Sequence, residues 1–114
     1  MIEEMSRESL GGFELMVMLA LLRVADKAYG VTISKALAEN GGREAALGSV
    51  YAALDRLESK GLVASELGDP TPERGGRAKR YFRVTGKGLR EVRAARRTLV
   101  KLWSGIPALH GGRT

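Results

Sequence analysis

The strongest constraint on this chain is the order of three segments between residues 47 and 88: LGSVYAALDRLESKGLV, then ASELGDPTPERGGRAK, then RYFRVTGKG. In the first, Val50, Leu54 and Leu57 recur at intervals of four and three, the spacing of one helix face, and Gly61 supplies a left-handed stop. A helix from about Gly48 to Lys60 is predicted, with Ser49, Ala52, Ala53, Arg56 and Lys60 on its outward side. Leu62 to Leu67 and Lys79 to Val84 are strand-length runs with β-branched and aromatic content, divided by Gly68, Pro70, Pro72, Gly75 and Gly76. In the second run Phe82 and Val84 share one face, and Tyr81 and Arg83 share the other. A short amphipathic helix joined to a hairpin with a long basic loop is the order of a winged helix-turn-helix, mainly α with a small β-hairpin.

The segments upstream fit that plan. A first helix is expected from Gly12 to Val24, with Phe13, Met16, Val17, Ala20 and Val24 on one stripe and Leu15, Met18, Leu19 and Leu22 on a second apolar face. Residues 1–9 are polar, with Met5 and Leu10 able to lie against a neighbouring surface. Tyr29-Gly30 opens a second helix with Ile33, Ala36 and Leu37 facing inward, and Asn40-Gly41-Gly42 ends it. Ala45 to Leu47 is read as a brief strand.

Charge points to a polyanionic partner. The net charge is +6, but the stretch from Arg74 to Arg97 holds ten basic residues and one acid, Glu91, so it carries +9 and leaves −3 for the remainder. Such clustering is the electrostatic footprint of a phosphate-binding face. Lys35 on the second helix, with Arg74, Arg77, Lys79 and Arg80 on or beside the loop, are the candidate phosphate contacts. Ser49 and Arg56 are the candidates for reading base edges, with Ala53 beside them, and Tyr51 suits a phosphate or packs on the second helix.

With 114 residues the chain holds a single core, and one that small is marginal alone. Thr85 caps a last helix expected to run from Gly86 to about Gly105, where Ile106-Pro107 ends it. Val92, Ala95, Leu99, Leu102, Trp103 and Ile106 form one stripe, and Arg90, Arg93, Arg97 and Lys101 the opposite one. A second copy is the economical cover for the apolar stripe. The expected interface is Phe13, Met16, Leu89, Val92, Leu99, Leu102, Trp103 and Ile106. The organisation expected is a DNA-binding unit over 1–85, a dimerisation helix over 86–106 and a flexible tail over 107–114.

The segments GGFELMVMLALL, AYGVTI, LGSVYAALDRLESKGLV and GGRAKRYFRVTGKG resemble the PadR family of bacterial transcriptional regulators, in the short form with a single C-terminal helix. The likeness covers about Leu10 to Leu102. It implies a homodimer, usually a repressor, that binds operator DNA and is released by a small molecule or another signal. By position Tyr51 matches the family's tyrosine in the third helix, Gly61-Leu62 its helix-to-strand junction and Tyr81-Phe82 its aromatic pair. Ala46 stands where relatives often carry Ser or Thr, which weakens the cap of the third helix.

Trp103, the only tryptophan, is expected to approach its symmetry mate on the dimer stripe; it is read first as a dimer-core residue, and alternatively as one wall of an effector slot that Met16 and Met18 complete for a planar aromatic molecule. Catalysis is not expected. The one histidine, His110, lies in a Gly-rich tail, and there are no cysteines to form a disulfide or bind a metal. Asp55 and Glu58 are expected to pair within their helix with Arg56 and Lys60. ERGGRAKR lacks the ending of a phosphate-binding loop, and no cofactor is called for. The apolar run Leu15 to Leu22 is too short to span a bilayer, and the acidic N-terminal stretch is unlike a signal peptide, so the cytoplasm is the expected compartment. The same fold and charge also suit an architectural or protein-interaction module without operator specificity.

Overall fold

A computed structural model of the chain describes residues 10–42, 44–68 and 79–112. Three helices come first: α1 (Gly12–Val24), α2 (Gly30–Gly41) and α3 (Leu47–Ser59). The hairpin β1 (Val63–Leu67) and β2 (Arg80–Val84) follows, then the long helix α4 (Gly86–Trp103) and 3-10 turns over Pro107–Gly112. The chain is a winged helix-turn-helix with a helix appended. Residues 107–112, expected as tail, thus carry helical turns, which follow a reversal at Gly105 (φ 79°).

The helix ends follow from local chemistry. Glu14 reaches back to accept the Gly11 N–H at 3.1 Å, and Thr32 Oγ1 does the same for Tyr29 N–H at 3.0 Å. Gly42 (φ 63°) and Gly61 (φ 77°) adopt the left-handed conformation that ends α2 and α3. Ala46 enters α3 with no side-chain cap, as its lack of a hydroxyl dictates.

Val17, Met18 and Leu21 of α1 meet Ile33 and Leu37 of α2, Val50, Leu54 and Leu57 of α3, and Leu62, Val63 and Phe82 of the wing. The covered face of α1 is therefore centred on Val17, Met18 and Leu21, while Leu19 and Leu22 remain exposed. In α3 the buried set is Val50, Ala53, Leu54 and Leu57, a full i, i+3, i+4, i+7 stripe. Ala53 is fully buried, which corrects its assignment to the DNA-facing side.

β1 and β2 pair antiparallel, with Val63 opposite Val84 and Leu67 opposite Arg80. Residues 44–46 form no strand, contrary to expectation. The neighbour of β2 on its other edge is Ala28, whose carbonyl accepts the Phe82 N–H at 2.8 Å. Buried Ala28 follows the 3-10 turn Ala25–Lys27, so the link between α1 and α2 anchors the wing.

The start of α4 is fixed by backbone contact. Thr85 N–H donates to Leu62 O at 3.0 Å, Thr85 Oγ1 donates to Gly61 O at 2.7 Å, and the same oxygen accepts Gly88 N–H at 3.0 Å. A Cβ at Gly88 would overlap the Leu62 carbonyl and crowd Val84 and Met18. Only glycine permits this approach.

Candidate nucleic-acid interface

The outer side of α3 exposes Leu47, Gly48, Ser49, Tyr51, Ala52, Asp55, Arg56 and Ser59. Ser49 is free to approach a groove near the helix start. The Tyr51 ring lies on Gly30 at the start of α2, where a Cβ would overlap it, and the residue keeps 36 % exposure. It is both packed on α2 and open to solvent.

The cations near α3 have partners that sequence spacing did not reveal. Arg56 Nε donates to Glu14 Oε2 at 2.9 Å, and Lys60 Nζ to Glu14 Oε1 at 2.7 Å. Glu14 comes from α1 and is the only buried charged side chain among the described residues, at 5 % exposure. Burial by itself raises its pKa, but donors from Lys60, the Gly11 backbone and Arg56 outweigh that and lower it from 4.5 to about 2. The expected pairing of Arg56 and Lys60 with Asp55 and Glu58 inside α3 is thereby corrected. The partner lies 42 positions from Arg56 and 46 from Lys60.

Glu58 turns to the wing. Its Oε1 accepts Arg80 Nη2 at 2.7 Å, its Oε2 accepts Ser65 Oγ at 2.8 Å, and Arg80 Nε donates to Ser65 Oγ at 2.9 Å. Arg80 also lies over the Phe82 ring, 5.4 Å from its centroid. Arg80, expected as a phosphate contact, is therefore tied to α3, though still partly exposed. Lys79 Nζ sits 4.6 Å from the Tyr29 ring centroid, and Tyr29 meets Tyr81 edge to face at 5.7 Å. Lys35 is exposed on α2, beside a shallow groove formed with Val31, Ala38 and Leu47. Arg74 and Arg77 lie outside the described residues.

Along α4 the apolar stripe stands open. Leu99, Leu102 and Trp103 are 53 %, 67 % and 62 % exposed, and Ile106 just beyond is also exposed. Leu89 is half-buried, and Phe13, Met16 and Val92 pack partly against the chain's own core. The expected slot of Met16, Met18 and Trp103 is not assembled. Met18 is fully buried in the core, and Met16 faces Leu37 and Gly41 of α2. The groove that does exist beside α4 holds about 460 Å³ and is lined by Leu10, Leu15, Ala94, Ala95, Leu99 and Glu91, among others.

Sequence reasoning missed Glu14 and Tyr29. Glu14 did leave a signal: it is a lone charge inside the apolar run GFELMVMLALL, and an acid in such a place needs buried cations.

A helix whose outer face is open, flanked by a hairpin and by exposed cations, defines the winged-helix class of DNA-binding transcription regulators. Residues 18–94 match the transcriptional regulator PadR-like family, and the chain belongs to that family. The chain is similar to a PadR family transcriptional regulator from Eggerthella lenta DSM 2243, at 33 % identity over 85 % of this chain and 82 % of that one, with a TM-score of 0.66. A PadR-like transcriptional regulator from Bacillus cereus strain ATCC 14579 shares the fold at 21 % identity, over 87 % of this chain and 94 % of that one, with a TM-score of 0.65. A PadR family regulator from Clostridium difficile R20291 shares it at 23 % identity, over 81 % and 91 %, with a TM-score of 0.64. A search of curated proteins finds no match. Among the described residues no helix is long and apolar enough to cross a membrane.

Proposed function

We propose that the protein is a homodimeric repressor that binds operator DNA through α3 and the wing and is released by a small apolar effector. The observation that carries this reading is the pairing of an exposed α3 face with an uncovered apolar stripe on α4 in a chain of this family. Helix α3 enters the major groove with Ser49 and Arg56 at base edges. Tyr51, Lys35 and Lys79, with Arg74, Arg77 and Arg80 around the wing, contact phosphates.

Two copies joined along Leu99, Leu102, Trp103 and Ile106 present two α3 helices to a two-fold operator. The effector enters the groove between α1 and α4, where Leu10, Leu15 and Leu99 supply apolar walls, and Trp103 follows Leu99 by about one helical turn. Regulation of this kind belongs to the cytoplasm, where the DNA is.

The test compares binding to fragments selected from genomic DNA with binding to random duplex at one salt concentration, alongside sedimentation at micromolar protein. A dimer with a large affinity ratio is expected. A ratio near one would favour the architectural alternative, and a 12.3 kDa species alone would remove the dimer.

A further inference from the structure

Arg56 is the only arginine of α3, and the structure holds it from one side. Its contact with Glu14 runs through Nε at 2.9 Å, while the side chain stays 53 % exposed. Nε is the nitrogen nearest the aliphatic stem. A carboxylate gripping it there leaves the two terminal nitrogens as an outward fork, the edge that pairs with two coplanar acceptors.

Lys60, only 20 % exposed, brings a second positive charge to the same carboxylate. Two cations on one anion leave a single net positive charge, and the more exposed guanidinium is where that charge meets solvent. Glu14 is itself fixed. It is 5 % exposed, sits in the first turn of α1 and accepts the Gly11 N–H, so its position is set by the core and not by a flexible stem.

We propose that Glu14 is a positioning residue for DNA recognition: by holding Arg56 through Nε, it aims the guanidinium fork past the outer face of α3 at a guanine edge in the major groove. The inference rests on the DNA-binding reading above. An unrestrained arginine populates many rotamers and gives up that freedom on binding, whereas a tethered one meets the O6 and N7 acceptors already aligned. The shared carboxylate also offsets the charge of Lys60, a sequence-independent term that weighs on operator and random duplex alike. Glu14 therefore raises the preference for operator over random duplex by aligning Arg56.

The test measures the ratio of operator to random-duplex affinity for the full chain at one salt concentration, with operator obtained by selection from genomic DNA. Arg56→Ala is expected to lower the ratio by roughly 5- to 160-fold, the range for losing one bidentate base contact. Glu14→Gln is expected to lower it several-fold while random-duplex binding holds or strengthens, because an acid has been neutralised. In the Arg56→Ala background, Glu14→Gln should lower the ratio no further.

Arg56→Lys keeps the charge and a partner for Glu14, and so preserves the fold, but removes the planar fork; its ratio should fall below that of the wild type. An unchanged ratio for Glu14→Gln would overturn the proposal, as would an equal loss in the Arg56→Ala background or a wild-type ratio for Arg56→Lys. Wild-type protein with a ratio near one would instead refute operator recognition itself, before any variant is compared.

Discussion

Protonating Glu14 should unlock α3 from α1, and the acid stability profile reads this directly. Its pKa is 4.5 in the unfolded chain and about 2 in the fold, a difference linked to about 3 kcal/mol of stability at neutral pH. The sign follows from the depressed value. The contribution is fully present above the unfolded pKa and is lost as pH falls toward the folded one, with about 2 kcal/mol gone by pH 3. Because the carboxylate side chain is 7 % exposed, salt should screen this loss only weakly. Urea titrations followed by far-ultraviolet circular dichroism, from pH 7 to pH 2.5, would compare wild type with Glu14→Gln, which has no carboxyl to titrate. The variant is expected to be less stable at pH 7, and the gap should close as pH falls. A gap that stays constant across the range would refute the clamp.

Four further outcomes test other parts of the structure. Gly88→Ala should cost about 1–3 kcal/mol, seen as a lower melting temperature, because the added Cβ meets the Leu62 carbonyl, a backbone atom that cannot swing aside. Ala25→Gly should stabilise the chain by about 1 kcal/mol in the same assay, since Ala25 sits at φ 61° and ψ −111°, outside the regions L-residues favour. Leu99→Asp should hold the protein as a monomer by sedimentation. Wild-type Trp103 fluorescence should shift to shorter wavelength as concentration rises, because this residue is 62 % exposed in the single chain.

The parts of the fold that were legible in sequence are those written locally. α1 ends where its apolar spacing ends, Gly42 and Gly61 mark the stops of α2 and α3, and Thr85 caps α4 as a hydroxyl before a helix should. Ala53 stands three positions after Val50, on the buried stripe, but alanine carries too little apolar character to mark that face by itself. Ala45 to Leu47 has a strand-like pattern and forms none, whereas the bond to Phe82 comes from Ala28, a residue in a link with no strand pattern. Candidate site residues fared similarly. Exposure of Ser49 and Lys35 follows from periodicity, whereas the partners of Arg56, Lys60 and Arg80 depend on which helices and strands meet in space. Proximity in sequence suggested pairing inside α3, and tertiary contacts with Glu14 and Ser65 prevailed.

The glycine at position 88 has a mechanical consequence. α4 spans 18 residues, roughly 27 Å at the rise of an α-helix, and its first turn is clamped to the backbone of the hairpin. It is a cantilever with a built-in root. A tilt of roughly ten degrees at that root would carry the Trp103 end about 5 Å sideways. Side-chain exchanges along the beam can alter what its free end grips, but its heading is set where Gly88 meets Leu62.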